Sequence, residues 1–305
     1  MKALTQDGQF ALLGNGTRLH YASSGRPGDA LVLMVHGFPQ AWFEWEEQLQ
    51  DFGSDHFAVA PDLRGFNLSS KPSGVDHYRA RHIVTDLQLL IAHLGYQRAT
   101  IVGHDWGGAI AWNLAIYYPD LVERLIIINA PHPYLFMRDL ARNSEQQKAS
   151  SYMNGLRAAG SEKALAKDDF RLLEGFFSNA GGRPGAWYTS EVRSRYHHMW
   201  SQPGENGSHP LEGSVNYYRA SPLHPPEAGA RASKPLTAKP TDWVVRVPVR
   251  VIWGKADRAL RASLLDGLDA LCPDLKIACI EEGSHWVVQE MPMRVNALMH
   301  AFLGG

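Results

Sequence analysis

The stretch Ile101-Val102-Gly103-His104-Asp105-Trp106-Gly107-Gly108 leads from an apolar run through a sharp turn directly into a helical pattern. At its centre is an acid, Asp105, with a glycine two residues away on each side. This strand, turn and helix context is that of a nucleophile elbow, where a serine usually occupies the central position. Larger side chains at positions 103 and 107 would clash in so tight a turn. Taken alone, the pattern also fits an aspartate that caps a helix.

Short apolar runs recur along the chain on both sides of this stretch. Because they are apolar on both faces, they are typical of strands buried inside a parallel sheet. An earlier pair of strand-like segments flanks Asn15-Gly16, which predicts a hairpin. The predicted strands are residues 10–13, 18–22, 31–35, 57–60, 100–102, 125–128, 249–253 and, more weakly, 276–280.

Helical periodicity fills the intervals between the strands. Residues 76–94 and 107–118 carry apolar positions on one face, and a further helix begins near Pro292. Gly95 and Pro119 supply stops for the first two helices. Strands that alternate with helices predict an α/β protein with a doubly wound, mostly parallel sheet.

The alternation breaks between about residues 131 and 243 and then resumes. This part is rich in glycine, proline, serine, arginine and aromatic residues, and it contains no convincing buried strand. Such an insertion predicts a mainly helical cap over the carboxyl edge of the sheet, ending in a proline-rich, extended excursion at 221–241. The predicted domains are a first core part at 1–131, the cap at 132–243 and a second core part at 244–305.

Three further motifs supply partners for Asp105. A His-Gly-Phe-Pro motif follows an earlier buried strand, and the N–H groups of Phe38 and Trp106 are placed to form an oxyanion hole. Asp257 follows a later strand, and His285 lies between the next strand and the last helix. The chain order of nucleophile, acid and histidine is that of a hydrolytic triad on such a sheet. A single histidine in this position could also be structural.

The composition excludes several classes of function. A net charge of −1 with 20% charged residues provides no long-range attraction to nucleic acid or to an anionic membrane.

The two cysteines have no metal-ligand spacing, and no HExxH pattern occurs, so we expect no metal and a reducing, cytoplasmic location. The first ten residues lack the apolar core of a signal peptide, and no apolar run reaches the ~20 residues of a membrane span. Asp62 and Asp120 are expected to be loop or surface carboxylates.

Taken together, these motifs resemble those of the epoxide hydrolases of the α/β-hydrolase fold. The resemblance spans nearly the whole chain and implies that Asp105 is the nucleophile, His285 the base and Asp257 its partner. It also implies that Tyr218 is one of two ring-opening tyrosines. The second is best matched by Tyr152, with Tyr134, Tyr188 and Tyr196 as competitors. The resembling segments are 36–39 with Trp42 and Trp45, 61–65, 103–108, 216–219, Asp257 and His285.

The resemblance implies attack by Asp105 on an epoxide carbon, followed by hydrolysis of the resulting ester, without a metal or organic cofactor. The aromatic residues Phe38, Trp42 and Trp106 predict binding of a small, apolar substrate. The sequence leaves the oligomeric state open.

Two other functions remain compatible with these residues. Hydrolytic dehalogenases share the aspartate nucleophile, although Phe38 offers no side-chain donor where haloalkane dehalogenases commonly carry asparagine. Haloacetate dehalogenases carry arginines right after the nucleophile, where this chain has Trp106 and Ala109. A non-catalytic member of the fold that binds a small ligand is the remaining alternative.

Overall fold

The computed structural model describes residues 8–178, 184–227 and 238–304. Within these ranges, eight strands form one sheet at the centre of the molecule. The strands are β1 (Gln9–Leu12), β2 (Arg18–Ser24), β3 (Leu31–Val35), β4 (Phe57–Pro61), β5 (Ala99–His104), β6 (Val122–Ile128), β7 (Val249–Gly254) and β8 (Leu275–Ile280).

The strand order across the sheet is β1-β2-β4-β3-β5-β6-β7-β8. Strands β1 and β2 form the predicted antiparallel hairpin, and β2 also runs antiparallel to β4. From β4 across to β8 every neighbouring pair is parallel. The prediction of a mostly parallel, doubly wound sheet is therefore confirmed. The loops that follow β3, β5, β6 and β7 meet at the carboxyl edge of the sheet, where ligands bind in such folds.

Helices connect the strands. The segments 76–94 and 107–118 are helical as predicted, except that the first begins with a 3-10 turn and the second begins two residues earlier. The α-helices of the described ranges are α1 (Glu46–Phe52), α2 (Ala80–His93), α3 (Asp105–Tyr117), α4 (Pro133–Arg142), α5 (Ser144–Ala149), α6 (Tyr152–Arg157), α7 (Ser161–Phe176), α8 (Ser190–Trp200), α9 (Glu212–Ala220), α10 (Val287–Glu290) and α11 (Pro292–Leu303). Short 3-10 helices lie at Trp42–Trp45, Val75–Tyr78, Pro119–Leu121, Glu205–Gly207, Pro240–Trp243 and Ala262–Leu265.

The two faces of the sheet carry separate apolar clusters. In β3, Leu31, Leu33 and Val35 belong to a cluster that includes buried side chains of α2 and α3. Val32 and Met34 of the same strand belong to a second cluster, formed with α1 and α11. Successive side chains of a strand point to opposite faces, so burial on both faces requires the continuous apolar run seen in the sequence.

The segment between β6 and β7, residues 129–248, is called the inserted segment below. Its described part contains the six helices α4 to α9 and no β-strand. Helix α7 is kinked, since residues 167–170 leave the helical conformation. Of the predicted excursion at 221–241, residues 228–237 lie outside the described residues. The division into a cap domain at 132–243 and two core parts stays a prediction.

In the part of the chain that the structure describes, no helix combines the length and the apolar character needed to cross a bilayer. Residues 1–7, which contribute to the prediction that no signal peptide is present, lie outside the described ranges. The cytoplasmic location stays a prediction.

Candidate active site

Asp105 occupies a strained turn between β5 and α3. It is the first residue of α3, and its φ of 51° lies in the left-handed region that side chains other than glycine rarely adopt. A Cβ atom at Gly103 would lie 2.6 Å from the backbone oxygen of Gly107, and one at Gly107 would lie 2.0 Å from that of Val35. The turn therefore packs this closely only because both positions are glycine.

The carboxylate of Asp105 is held between two elements of the carboxyl edge. Its Oδ1 accepts a hydrogen bond of 2.8 Å from the backbone N–H of Phe38, in the loop after β3. Its Oδ2 lies 3.5 Å from Nε2 of His285. Burial alone would raise the pKa of Asp105, but the hydrogen bond and charge of His285, together with His104 and the Phe38 N–H, lower it. Asp105 is therefore an ionised carboxylate at neutral pH.

His285 bridges the two carboxylates predicted as its partners. Its Nδ1 lies 2.7 Å from Oδ2 of Asp257, on the side opposite Asp105. Burial alone would lower the pKa of His285, but the negative charges of Asp257 and Asp105 outweigh that effect and raise the pKa to about 10. The resting site therefore holds a protonated imidazole between two carboxylates.

A network of donors fixes the carboxylate of Asp257, whose side chain is fully buried. Its Oδ1 accepts hydrogen bonds from the backbone N–H groups of Ala259 (2.8 Å) and Leu260 (2.9 Å). Its Oδ2 also accepts a hydrogen bond of 2.8 Å from Nδ2 of Asn129. The Oδ1 of Asn129 in turn accepts a hydrogen bond from the backbone N–H of Gly254. Asn129 was not among the predicted site residues. The sequence signal that could have indicated Asn129 is its position as a polar residue directly after the apolar run of β6.

A second buried pair, Glu44 and His104, lies behind the elbow and was also missed. Nδ1 of His104 lies 2.6 Å from Oε1 of Glu44, and both side chains are fully buried. Nε2 of His104 lies 2.8 Å from the backbone oxygen of His285, and Oε2 of Glu44 accepts a 3.2 Å hydrogen bond from the N–H of Gly37. Since a carbonyl oxygen only accepts, Nε2 must carry a proton. The pair therefore connects the loop after β3, which contains Gly37, to the loop of His285.

The two tyrosines predicted from the resemblance line the same cavity as Asp105. Tyr152 begins α6, Tyr218 lies in α9, and their rings pack edge-on with centroids 6.3 Å apart. Burial, reinforced by the charge of Asp105, raises the pKa of both phenols, so both hydroxyls stay protonated and can donate. The ring of Tyr218 packs edge-on against those of Phe38 and Trp106.

These groups open into one cavity of about 480 Å³ that runs between α3 and the inserted segment. Asp105, Trp106, Tyr152 and Tyr218 line it. Most of the remaining wall is apolar, with contributions from Phe136, Met137, Met153, Leu223, Trp243 and Leu260. The arrangement suits a neutral, apolar molecule presented to a carboxylate nucleophile.

Trp42 is not placed with the other predicted substrate-binding residues. It is buried in the cluster on the α1 and α11 face of the sheet, and its backbone N–H donates to Oδ1 of Asp62 at 3.0 Å. Asp62 is itself fully buried and bonded to His20 and Asn67, so the prediction of a surface or loop carboxylate missed its burial. Trp42 follows the loop of Phe38 closely in sequence, but as the first residue of the 3-10 helix Trp42–Trp45 it is buried in that cluster.

The competing tyrosines Tyr188 and Tyr196 lie outside the cavity. The hydroxyl of Tyr188 donates to Glu174, and that of Tyr196 accepts from Gln40. No three His, Cys, Asp or Glu side chains of the described residues are grouped so that they could hold a metal ion. The prediction that catalysis uses no metal or cofactor stays a prediction.

The model of the alpha/beta hydrolase fold family matches residues 30–290. The AB hydrolase superfamily protein YfhM of Bacillus subtilis is 36% identical over 95% of this chain and 95% of its own length. Epoxide hydrolase 4 of Mus musculus is 32% identical over 95% of this chain and 77% of its own length. Among solved structures, a mutant of an epoxide hydrolase from Bacillus megaterium, complexed with its product (R)-3-[1]naphthyloxy-propane-1,2-diol, is 36% identical. It superposes with a TM-score of 0.84 over 97% of this chain and 100% of that chain. This chain belongs to the α/β-hydrolase fold family and, within it, to the epoxide hydrolases.

Proposed function

We propose that this protein hydrolyses an apolar epoxide to a vicinal diol through an ester formed on Asp105. One observation carries the proposal: an ionised carboxylate and two protonated phenols, Tyr152 and Tyr218, line the same apolar cavity. A carboxylate suits displacement at a saturated carbon, and a phenol suits protonation of the alkoxide that leaves. The relatives whose names include epoxide hydrolysis support the same reaction.

In the first step, an oxygen of Asp105 bonds to an epoxide carbon while the carbon–oxygen bond of the ring breaks. The ring oxygen takes a proton from the phenols as its negative charge develops. Proton transfer from the imidazolium of His285 then restores the phenol. The products of this step are a neutral alkyl ester, a neutral alcohol and a neutral imidazole, so charge and protons balance.

The loss of charge on Asp105 prepares the second step. Ester formation removes one of the two negative charges that raise the pKa of His285. With only Asp257 left, the imidazole gives up its proton more readily and acts as a general base. It takes a proton from water, whose oxygen attacks the ester carbonyl. The N–H groups of Phe38 and Trp106 stabilise the resulting oxyanion, each by about 3 kcal/mol.

Collapse of this intermediate completes the cycle. The diol leaves with a proton supplied by His285, and the new carboxyl group of Asp105 returns its proton to the imidazole. Both groups then hold the charges with which they began.

Dehalogenation through the same nucleophile receives less support. A departing halide needs N–H donors, and Trp106 would be the natural one. Phe38 contributes only its backbone N–H, and that group already donates to Oδ1 of Asp105. A departing halide needs no proton, whereas a departing alkoxide does, and the two phenols can donate one.

The expected partner is a small, apolar substrate that fits the cavity of about 480 Å³. The Bacillus megaterium relative was solved with an aryloxy-propanediol product, which is consistent with a substrate of this size and polarity.

A panel of epoxides, haloalkanes and haloacetates, with diol and halide both measured, tests the function. Diol from epoxides without halide release from the other substrates is the expected result. One turnover with excess enzyme in water labelled with the heavy oxygen isotope should then give diol largely free of label, because the added oxygen comes from Asp105. Label in the product of that first turnover would exclude the ester route.

A further inference from the structure

The cavity follows one face of α3 away from the nucleophile. Asp105, Ala109 and Asn113 all line it, and they are spaced four residues apart, which places them on the same side of the helix. Each residue advances the helix by about 1.5 Å, so Asn113 stands about 12 Å from Asp105 along the axis. The wall therefore extends well beyond the length of an epoxide ring.

Asn113 presents an unused acceptor at the far part of this wall. Its Nδ2 donates a 2.7 Å hydrogen bond to the backbone oxygen of Ala109, one turn earlier. This contact fixes the orientation of the amide, because a carbonyl oxygen can be approached only by the NH₂ group. Across the residues that the structure describes, the side-chain oxygen of Asn113 accepts no hydrogen bond.

Other polar groups of the wall are already engaged. The hydroxyl of Tyr78 donates to the backbone oxygen of Pro72 at 2.8 Å, and that of Tyr217 donates to the backbone oxygen of Arg64 at 2.8 Å. Ser221 exchanges hydrogen bonds with the backbone of Leu223. The amide of Asn113 thus stands out as an acceptor that a ligand can use.

The charges of the wall limit what that ligand can be. Of the described residues that line the cavity, Asp105 is the one with an ionisable carboxyl group, and none is Lys, Arg or Glu. A carboxylate or phosphate on the substrate would meet no positive charge there, and burying it unpaired would be costly. The substrate is therefore neutral away from the epoxide.

We propose that the preferred substrates are neutral epoxides whose apolar arm carries a hydroxyl or N–H group about 12 Å from the ring, where Asn113 accepts its hydrogen bond. This inference rests on the proposed function and names the substrate class of that site. Such a group would otherwise lose its water on entering an apolar cavity without gaining a partner.

Matched pairs of terminal epoxyalkanes provide the test. Each pair has the same arm length, and one member ends in a hydroxyl where the other ends in a methyl group. Arms shorter than, equal to and longer than about 12 Å are compared. The measured quantity is the ratio of kcat/KM for the hydroxyl member to that for the methyl member. Because both values come from the same enzyme sample, the fraction of folded protein cancels.

In the unmodified protein the ratio should peak for arms near 12 Å and exceed that for short arms by about three- to tenfold, as one neutral hydrogen bond allows. Asn113→Leu, which keeps the shape and removes the acceptor, should abolish the peak. Ser221→Ala is the matched control and should keep it, because that hydroxyl is engaged with Leu223. A ratio that does not depend on arm length, or a peak that survives Asn113→Leu, would overturn the inference. Failure to hydrolyse even the methyl epoxides would instead refute the proposed function.

Discussion

Replacing Tyr218 with phenylalanine separates epoxide opening from the later hydrolysis of the ester. The substitution removes the hydroxyl and keeps the ring, whose edge contacts with Phe38 and Trp106 have centroid distances of 5.2 Å and 5.1 Å. Packing should therefore change little. What is lost is a proton donor in the cavity that also contains Asp105.

The size of the effect follows from what the hydroxyl does. A well-placed donor to a developing oxyanion is worth roughly 3 kcal/mol, or about a hundredfold in rate. Tyr152 remains as a donor, so opening slows without stopping. Because the rings of the two phenols are in contact and line the same cavity, the double replacement should cost less than the product of the two single effects.

Rapid-mixing fluorescence measures the two steps separately, with Trp106 beside the nucleophile as the reporter. Ester formation from an epoxide should slow about a hundredfold in Tyr218→Phe, whereas the rate of ester hydrolysis should stay near that of the unmodified protein. Tyr196→Phe is the matched control, because that tyrosine is buried, lies outside the cavity and bonds to Gln40. If Tyr218→Phe opens epoxides at the unmodified rate, the phenol is a packing group and the assignment of its role is wrong.

Three further substitutions test the charges around the nucleophile. His285→Gln should form the ester on Asp105 without hydrolysing it, so intact-protein mass spectrometry should detect a stable adduct; turnover at the unmodified rate would remove His285 from the mechanism. The pKa of His285 is raised from 6.5 to about 10 in the folded protein, so its contribution to stability is complete below pH 6.5 and is lost as the pH rises toward 10. Urea unfolding should therefore show a larger loss of stability between these pH values in the unmodified protein than in His285→Gln, and equal losses would contradict the coupled charges. Glu44→Ala should lower the free energy of unfolding by about 3–5 kcal/mol, because it leaves His104 buried without its partner. Glu44→Gln keeps an acceptor for the N–H of Gly37 and should lower the free energy of unfolding clearly less. If both variants lower it equally, the charge of Glu44 beside His104 does not stabilise the fold.

The sequence predicted the sheet and the elbow well because both depend on local chemistry. A strand buried on both faces must be apolar throughout, and β3 shows that pattern in five consecutive residues. The elbow needs glycine where side chains would collide, and Gly103 and Gly107 satisfy that need. Neither feature requires knowledge of distant parts of the chain.

The groups that were missed depend on contacts between distant segments. Asn129 meets Asp257 across 128 residues of sequence, and His104 reaches the backbone of His285 across 181. A polar residue at the end of an apolar run looks the same whether it faces solvent or a buried carboxylate. Trp42 shows the opposite error, because closeness in sequence to the oxyanion loop did not place it at the site.

The geometry also assigns different tasks to the two oxygens of Asp105. Oδ1 already receives the N–H of Phe38 at 2.8 Å, whereas Oδ2 faces the imidazole of His285 at 3.5 Å. The 2.8 Å hydrogen bond from Phe38 anchors Oδ1, whereas the 3.5 Å contact between Oδ2 and His285 is longer and weaker, so in the proposed mechanism Oδ2 is the oxygen that attacks the substrate. Oδ1 then becomes the carbonyl oxygen of the ester while still bonded to the oxyanion hole. The N–H that orients the carboxylate in the first step is therefore already in position to stabilise the charge that forms in the second. A serine elbow needs its oxyanion hole for the substrate's oxygen, but in the mechanism proposed for this protein the same donor serves an oxygen of the enzyme.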